Sequence, residues 1–174
     1  MARFYILLVS TLLLLGFSAN AQEKNSAKKE EKLVWYTNIQ EANAVAKASN
    51  KPLFTFFTGS DWCGWCRKIQ NDVFAKPEFV SWAQKNVVLV ELDFPRNKPM
   101  SEELMQQNRG LQQALQVRGY PTIWLINLNK NADGTSFEIE QLGSLGYPSG
   151  AELGKEQLKF LSDVNAILKH KTAN

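Results

Sequence analysis

Cysteine and histidine are the rarest residues of this sequence, with two cysteines and one histidine among 174 residues. A structural zinc site takes four ligands, so these three side chains cannot complete one. A small secreted scaffold held together by several disulfides is also excluded, because two cysteines form at most one bridge. Any special role of cysteine in this protein must therefore come from a single pair.

The sequence also lacks a strong charge of either sign. It has 20 Lys and Arg residues against 17 Asp and Glu residues, which gives a formal net charge of +3. Such a balance does not indicate nucleic-acid binding, which depends on a clear excess of basic side chains. Hydrophobic residues make up 44% and charged residues 21% of the chain, as in ordinary globular domains. The composition therefore predicts one globular domain and excludes a disordered or collagen-like chain.

A long apolar run occurs only near the start of the sequence. The run Ile6–Phe17 follows the basic residue Arg3 and precedes Ala19-Asn20-Ala21, a pattern typical of a signal peptide cleaved after residue 21. An uncleaved membrane anchor is the alternative, but a spanning helix needs about 20 apolar residues and this run is shorter. We therefore expect residues 1–21 to be a signal peptide and the protein to be periplasmic or secreted.

Helical and strand patterns alternate along the rest of the chain. Residues 22–32 are polar and predict a flexible leader, followed by a folded domain at 33–170 and a short tail at 171–174. The predicted helices are 39–49, 63–74, 78–85, 102–117 and 152–169, and the predicted strands are 53–58, 87–92, 122–128 and 137–142, with a turn at Asn131–Gly134. Parallel strands joined through a helix form a right-handed crossover, so we expect an α/β fold with helices on both faces of a central sheet.

The two cysteines lie three positions apart, as Cys63 and Cys66, at the expected start of a helix. A helix start presents unpaired N–H groups and the positive end of the helix dipole, and both favour a thiolate. This predicts that Cys63 is the nucleophile of thiol–disulfide exchange. Cys66 follows after nearly one helical turn and can attack a mixed disulfide formed at Cys63, so it is the predicted resolving thiol. Around this pair, Gly64 keeps the backbone close to the surface, and Trp62 and Trp65 form an apolar rim for a partner chain.

Other uses of the cysteine pair fit the sequence less well. Covalent haem attachment needs a histidine directly after the second cysteine, where this chain has Arg67. A zinc half-site would need a second cysteine pair, and the sequence has none. A purely structural disulfide across so small a loop would stabilise the fold little, because loop-closure entropy grows with loop length. Redox chemistry is therefore the favoured interpretation.

Several segments resemble the thioredoxin superfamily, as does the order of helices and strands. The segments are Leu53–Arg67 and Gly119-Tyr120-Pro121-Thr122. The run Thr58–Cys66 and the segment Asp93–Arg96 are similar to exported bacterial thioredoxin-like proteins, often called thiol:disulfide interchange or disulfide-isomerase-like proteins. The resemblance covers about residues 35–168 and implies a three-layer α/β/α sandwich with a mixed sheet of about four to five strands.

The resemblance also assigns roles to two residues far from the cysteines in sequence. It implies that Pro121 is a cis-proline facing the cysteine pair, and that the backbone of Tyr120 pairs with an extended substrate segment beside Cys63. A trans-proline at the start of the third predicted strand is the alternative. Trp62, Gly64, Trp65, Tyr120 and Pro121 are therefore the predicted substrate-binding residues.

One departure from the family pattern concerns proton transfer. Many members carry a buried aspartate in the strand before the cysteine motif, which exchanges a proton with the second cysteine. Phe56 and Phe57 occupy the matching positions in this sequence. Glu91 in the neighbouring strand is a candidate replacement, and an exposed carboxylate at the sheet edge is the alternative interpretation.

Together, the residues and the resemblance predict an exported thiol–disulfide oxidoreductase that acts on protein thiols and disulfides through Cys63 and Cys66. It is expected to need no cofactor or metal, to be a monomer and to exchange electrons with a membrane-embedded partner. Gly64 and Trp65 between the cysteines replace the histidine that stabilises the thiolate in strong oxidants, which favours a reductase or isomerase over an oxidase. The alternative is a thioredoxin-fold binding or chaperone module in which the cysteines are not essential.

Overall fold

The computed structural model describes residues 32–131 and 137–171 of the chain. The predicted signal peptide at 1–21 and nearly all of the predicted leader at 22–32 lie outside the described residues. The same holds for most of the predicted turn Asn131–Gly134 and of the predicted tail at 171–174. In the described part of the chain, no helix is long and apolar enough to cross a lipid bilayer.

Helices and strands alternate along most of the described chain. Its strands are β1 (Trp35–Tyr36), β2 (Leu53–Thr58), β3 (Val88–Asp93), β4 (Thr122–Lys130) and β5 (Phe137–Leu145). Its helices are α1 (Ile39–Ser49), α2 (Gly64–Ile69), α3 (Pro77–Asn86), α4 (Glu102–Ala114) and α5 (Glu156–Lys171), and a π-helical turn (Gln70–Phe74) continues α2.

The strands form one mixed sheet in the order β1-β3-β2-β4-β5. The central strand β2 runs parallel to β3, with Thr58 opposite Asp93, and antiparallel to β4. The carboxyl ends of β2 and β3 therefore lie side by side at one edge of the sheet. The predicted mixed sheet of four to five strands is confirmed.

The β2 strand is fully buried and supplies side chains to both faces of the sheet. Phe54 and Phe56 face one hydrophobic cluster, which also takes residues from α2, α3 and α5. Leu53 and Phe57 face a second cluster built with α1 and α4. Helices therefore cover both faces of the sheet, as predicted for an α/β/α sandwich.

The first cluster is rich in aromatic rings, and it supports the helix that follows β2. Phe54 packs edge-on against Phe74, Phe79 and Phe160, with ring centroids 5.7 to 6.1 Å apart. Phe56 packs edge-on against Phe74 at 5.1 Å. Aromatic contacts of this kind add about 0.5–1.5 kcal/mol each beyond the area they bury. The strand before the cysteine motif is thus anchored to the π-helical turn after it.

Many element boundaries differ from the prediction by one to four residues, and two helix ends and one additional strand have a clear physical reason. The last helix begins at Glu156 rather than Glu152, because Gly154 adopts a left-handed backbone conformation with φ of 79° that a helix cannot include. The fourth helix ends at Ala114 rather than at residue 117, and Gln116 is left-handed with φ of 51°. The two-residue strand β1 was not predicted, because so short a segment carries no periodic pattern.

Candidate active site

The two cysteines follow the carboxyl end of β2 and form a disulfide, with Cα atoms 5.2 Å apart. The carbonyl oxygen of Gly59 accepts hydrogen bonds from the backbone N–H groups of Trp62 (3.2 Å) and Cys63 (2.8 Å), which turns the chain from β2 into α2. Cys63 is the N-cap of α2, and its Sγ accepts a hydrogen bond from the backbone N–H of Cys66 at 3.1 Å. The sequence prediction had placed Cys63 inside the first helical turn, whereas the structure places it one position earlier, at the N-cap. At the cap position its sulfur receives an N–H that has no partner within the helix.

The turn before Cys63 depends on the absence of a side chain at Gly59. A Cβ atom at this position would lie 2.4 Å from Cε2 of Trp62, closer than any non-bonded contact allows. The indole of Trp62 therefore lies directly over the Gly59 backbone. Sequence analysis did not single out this glycine, because the contact depends on how Trp62 folds back.

The two cysteines differ in burial in the direction expected for their predicted roles. Cys63 is 5% exposed and Cys66 is 1% exposed, and both border the cluster that contains Phe56 and Ile69. Cys63 is therefore the slightly more accessible sulfur of the pair, and Cys66 is covered by the core.

Trp62 is held in place by the loop that follows β3. Its Nε1 donates a hydrogen bond to the carbonyl oxygen of Phe94 at 2.8 Å. The guanidinium carbon of Arg96 lies 3.9 Å from the centre of the Trp62 ring, and Tyr120 packs edge-on against the same ring at 5.7 Å. Trp62 therefore joins the cysteine motif to two other parts of the chain.

Asp61 makes a second connection to this loop. Its carboxylate accepts hydrogen bonds from the backbone N–H groups of Arg96 (3.1 Å) and Asn97 (2.6 Å). Desolvation opposes ionisation, but these backbone hydrogen bonds outweigh it and hold the pKa of Asp61 below its usual value. Asp61 thus fastens the loop after β3 to the cysteine motif.

A third connection joins the ends of the two parallel strands. The carboxylate of Asp93 accepts hydrogen bonds from the backbone N–H of Ser60 (2.7 Å) and from its hydroxyl group (2.6 Å). The same carboxylate accepts the backbone N–H of Phe94 at 2.9 Å. Sequence analysis noted Asp93 only as part of a segment resembling the family and missed its contact with Ser60. The contact joins residues 33 positions apart, and no local sequence pattern indicates it.

Trp65 lies on the other side of the cysteine pair and is 59% exposed. Its ring packs edge-on against Tyr147, with centroids 5.2 Å apart. The hydroxyl of Tyr147 donates a hydrogen bond to Asp72 at 2.7 Å, and Nζ of Lys68 lies 2.6 Å from the same carboxylate. Hydrogen bonds from Lys68 and Tyr147 lower the pKa of Asp72. The exposed indole is therefore supported by a fixed tyrosine.

The peptide bond between Tyr120 and Pro121 is cis, as the family resemblance predicted. The Tyr120 ring stacks on Phe94 at 5.2 Å, and its hydroxyl oxygen accepts a hydrogen bond from Nε2 of Gln112 at 2.8 Å. Burial raises the pKa of Tyr120 to about 12, so this phenol stays neutral. Tyr120 borders the same cluster as the cysteines. The roles of Tyr120 and Pro121 in substrate binding remain predictions, as do those of Trp62, Gly64 and Trp65.

The candidate replacement for the missing buried aspartate is partly buried. Phe56 and Phe57 are fully buried, and Glu91 lies opposite Phe56 in the parallel pairing of β2 and β3. The edge strand β1 pairs with β3 only at Leu89 and Val90, so Glu91 lies just beyond its end. Desolvation raises the pKa of Glu91. Its carboxyl is thus neither fully buried nor freely solvated.

The described residues contain no cluster of three or more His, Cys, Asp or Glu side chains that would hold a metal ion. The two sulfur atoms of Cys63 and Cys66 form the disulfide of this site. They can alternate between a dithiol and a disulfide, which transfers two electrons and two protons.

Comparison with known proteins identifies the family. The sequence profile of the thioredoxin-like domain matches residues 39–139. The thioredoxin-related protein DsbJ of Chlamydia pneumoniae is 32% identical over 161 residues, which cover 92% of this chain and 44% of the relative. The disulfide bond reductase DsbH of the same organism is 34% identical over 134 residues, which cover 77% of this chain and 72% of the relative. The chain thus spans less than half the length of DsbJ.

Solved structures agree with this result. The structure described as DsbH oxidoreductase superposes with a TM-score of 0.65 at 32% identity, covering 79% of this chain and 85% of that one. A thioredoxin from Thermus thermophilus superposes with a TM-score of 0.53 at 20% identity, covering 78% of this chain and 87% of that one, and shares the fold. With a cysteine pair at the start of the helix after the central strand, this chain belongs to the family of thioredoxin-like domains.

Proposed function

We propose that this protein is an exported thiol–disulfide oxidoreductase that reduces disulfide bonds of protein substrates through Cys63 and Cys66. The observation that carries the proposal is the Cys63–Cys66 disulfide at the N-terminus of α2. A structural bridge across so short a loop would contribute little stability, whereas a redox pair is expected at a helix start. The relative named disulfide bond reductase supports the reducing direction.

The reaction begins with the dithiol form. The backbone N–H of Cys66, which bonds to the Cys63 sulfur in the disulfide, is placed to stabilise a Cys63 thiolate. This thiolate attacks one sulfur of a substrate disulfide. The substrate S–S bond breaks, a mixed disulfide forms between Cys63 and the substrate, and the second substrate sulfur leaves as a thiolate that takes up a proton.

Cys66 completes the reaction. Its sulfur attacks the Cys63 sulfur of the mixed disulfide, which forms the Cys63–Cys66 bond and breaks the bond to the substrate. The proton of the Cys66 thiol is released, and the departing first substrate sulfur takes up a proton in its place. Two electrons have then passed from the protein dithiol to the substrate. A further dithiol must reduce the enzyme by the reverse exchange. We propose a membrane-embedded dithiol protein as this donor, because reducing equivalents used outside the cytoplasm have to cross a membrane.

The reduction potential tests the direction of electron flow. Thioredoxin has a reduction potential of about −270 mV, whereas that of the strong oxidant DsbA is about −120 mV. We expect a value closer to that of thioredoxin when the pair is equilibrated with glutathione. A potential near that of DsbA would contradict the reductase proposal. A scrambled-disulfide substrate separates an isomerase, which restores the native pairing, from a reductase, which leaves free thiols.

Single cysteine variants test the assigned roles. We expect Cys63→Ser to abolish reduction of a protein disulfide. We expect Cys66→Ser to accumulate a mixed disulfide at Cys63, detectable as a mass increase that dithiothreitol removes. A mixed disulfide that forms at Cys66 in the Cys63→Ser variant, and not at Cys63, would overturn the assignment of nucleophile and resolving thiol.

The exposure of Trp65 favours a second candidate, a binding module in which the cysteines are not essential. The double variant Cys63→Ser, Cys66→Ser separates the two proposals, because a binding module would retain its cellular role without either thiol.

The N-terminal residue of the exported protein tests the proposed export, and light scattering tests the oligomeric state. We expect the exported protein to begin at Gln22 and to behave as a monomer in light scattering.

A further inference from the structure

Arg96 places a positive charge over the ring of Trp62, the residue before the proposed nucleophile. Its guanidinium carbon lies 3.9 Å from the centre of the Trp62 ring, and Trp62 directly precedes Cys63 in the chain. The residue is exposed. The ion pairs of the described residues involve lysines, and Arg96 takes part in none of them. Stacking occupies the flat face of the guanidinium and leaves its N–H groups available to a ligand.

Arg96 is also held in position before any ligand arrives. Its backbone N–H and that of Asn97 both bind the carboxylate of Asp61, and the preceding Phe94 accepts the indole N–H of Trp62. Fixing a flexible side chain on binding normally reduces affinity, and that cost is smaller here because the loop and the ring already restrict Arg96. Two carboxylates near this loop already have partners. Asp61 accepts the backbone N–H groups of Arg96 and Asn97, and Asp93, three positions before Arg96, accepts hydrogen bonds from Ser60 and Phe94.

Other basic residues lie in the segments that frame the cysteine pair. Arg67 directly follows Cys66, and Arg118 lies three positions before Pro121; both are exposed. Lys68 is paired with Asp72, so its charge is partly balanced. Lys98, two positions after Arg96, is exposed and lies close enough to Asp61 to help lower the pKa of that carboxyl. Three of the five positive charges in these segments are thus arginines, whose planar donors suit a carboxylate.

From this arrangement we infer that Arg96 is a specificity-determining residue that binds a carboxylate of the substrate chain. The preferred substrates are proteins with Asp or Glu close to the cysteine that Cys63 attacks. An extended chain advances about 3.3 Å per residue, so a chain that reaches Cys63 passes the Trp62 ring within a few residues. The inference rests on the proposed function and adds the chemical class of its substrate.

The test uses three disulfide-linked peptides that differ at one position, two residues from the cysteine, where they carry Glu, Gln or Lys. The fully reduced protein is mixed with each peptide, and the rate of disulfide reduction is followed at low salt. An exposed ion pair gives a modest preference, so we expect the Glu peptide to react about two- to fivefold faster than the Gln peptide. The Lys peptide is expected to be the slowest. Salt should bring the three rates together, because it screens exposed charges.

Variants of Arg96 test whether this residue causes the preference for the Glu peptide. In Arg96→Met the ratio of the Glu rate to the Gln rate is expected to fall to about one. In Arg96→Glu the order is expected to reverse, with the Lys peptide fastest, a result that a merely structural role would not produce. Lys85→Met is the control, because it makes the same charge change on α3. Lys85 lies near the amino end of β3, whereas the cysteine motif lies at the carboxyl ends of β2 and β3, so this variant should keep the preference for the Glu peptide.

Each outcome decides something specific. Equal rates for the three peptides with the unmodified protein overturn the inference and leave the proposed function intact. Failure to reduce any of them contradicts the proposed function itself. A preference that persists in Arg96→Met, with thermal unfolding showing a folded variant, assigns the selectivity to another residue and also overturns the inference. If Arg96→Met does not fold, the salt dependence of the unmodified protein and the Arg96→Glu reversal decide the question.

Discussion

Asp93 binds Ser60 through both oxygens of its carboxylate, one on the backbone N–H and one on the hydroxyl group. This contact joins the end of β3 to the turn that carries Cys63. In Asp93→Ala the backbone N–H of Ser60 loses its partner, and we expect the free energy of unfolding to fall by about 1–3 kcal/mol. Chemical denaturation measures this change. Ser60→Ala removes only the hydroxyl bond and should cost about 1 kcal/mol. Equal losses in the two variants would show that the backbone bond contributes little.

Gly59 and Gly110 form a matched pair for a test of the turn. In Gly59→Ala the new Cβ would overlap the Trp62 indole, so the ring must move, and we expect a loss of about 1–3 kcal/mol. Disulfide exchange should slow as well, since Trp62 adjoins Cys63. Gly110 lies inside α4 with open space around it, and Gly110→Ala should raise stability by about 0.5–1 kcal/mol. A stable and fully active Gly59→Ala protein would contradict the packing of Trp62 described above.

The raised pKa of Glu91 predicts that the stability of the protein depends on pH. Desolvation raises its pKa in the folded protein above the ordinary value of 4.5, so the folded state binds a proton more tightly than the unfolded state does. The stability from this proton is fully present below pH 4.5 and is lost as the pH rises through the folded pKa. In Glu91→Gln this loss should disappear, so the variant should gain stability relative to the parent protein as the pH increases. Urea denaturation across that pH range measures the difference. A difference that is constant with pH would contradict the raised pKa.

A substitution of Trp65 separates the binding of a protein substrate from the disulfide exchange itself. Because its ring is exposed, Trp65→Ala should change the free energy of unfolding by less than about 1 kcal/mol. We expect slower reduction of a protein disulfide and an unchanged rate with a small disulfide such as hydroxyethyl disulfide, which does not reach the rim. Leu153 is 91% exposed and provides the control, since Leu153→Ala should alter neither rate. Equal slowing with both substrates would assign Trp65 to the chemical step instead.

The elements with strong local signals were predicted well. Helix α1 has the predicted bounds, and it begins at Ile39 because the side chain of Asn38 accepts the N–H groups of Gln40 and Glu41. The buried strand β2 has the predicted bounds, since Pro52 and Gly59 flank a continuous apolar and β-branched run. In both cases the residues that define the element are neighbours in sequence.

The contacts that organise the site were not predicted. Trp62 binds Phe94 across 32 positions of sequence, and Ser60 binds Asp93 across 33 positions. Each contact exists only because β2 and β3 are adjacent and parallel, so that their carboxyl ends meet. Periodicity and capping patterns describe local conformation and contain no information on such pairs. The cysteine motif was therefore predictable, whereas the loop that surrounds it was not.

The loop after β3 is fastened at its beginning, by Trp62 on Phe94 and by Asp61 on Arg96 and Asn97. The exposed residues Lys98 and Pro99 that follow are not needed for this attachment. Surface segments of this kind tolerate changes of length and charge. The segment that follows Asn97 can therefore change in length and charge while the turn that carries Cys63 keeps its structure.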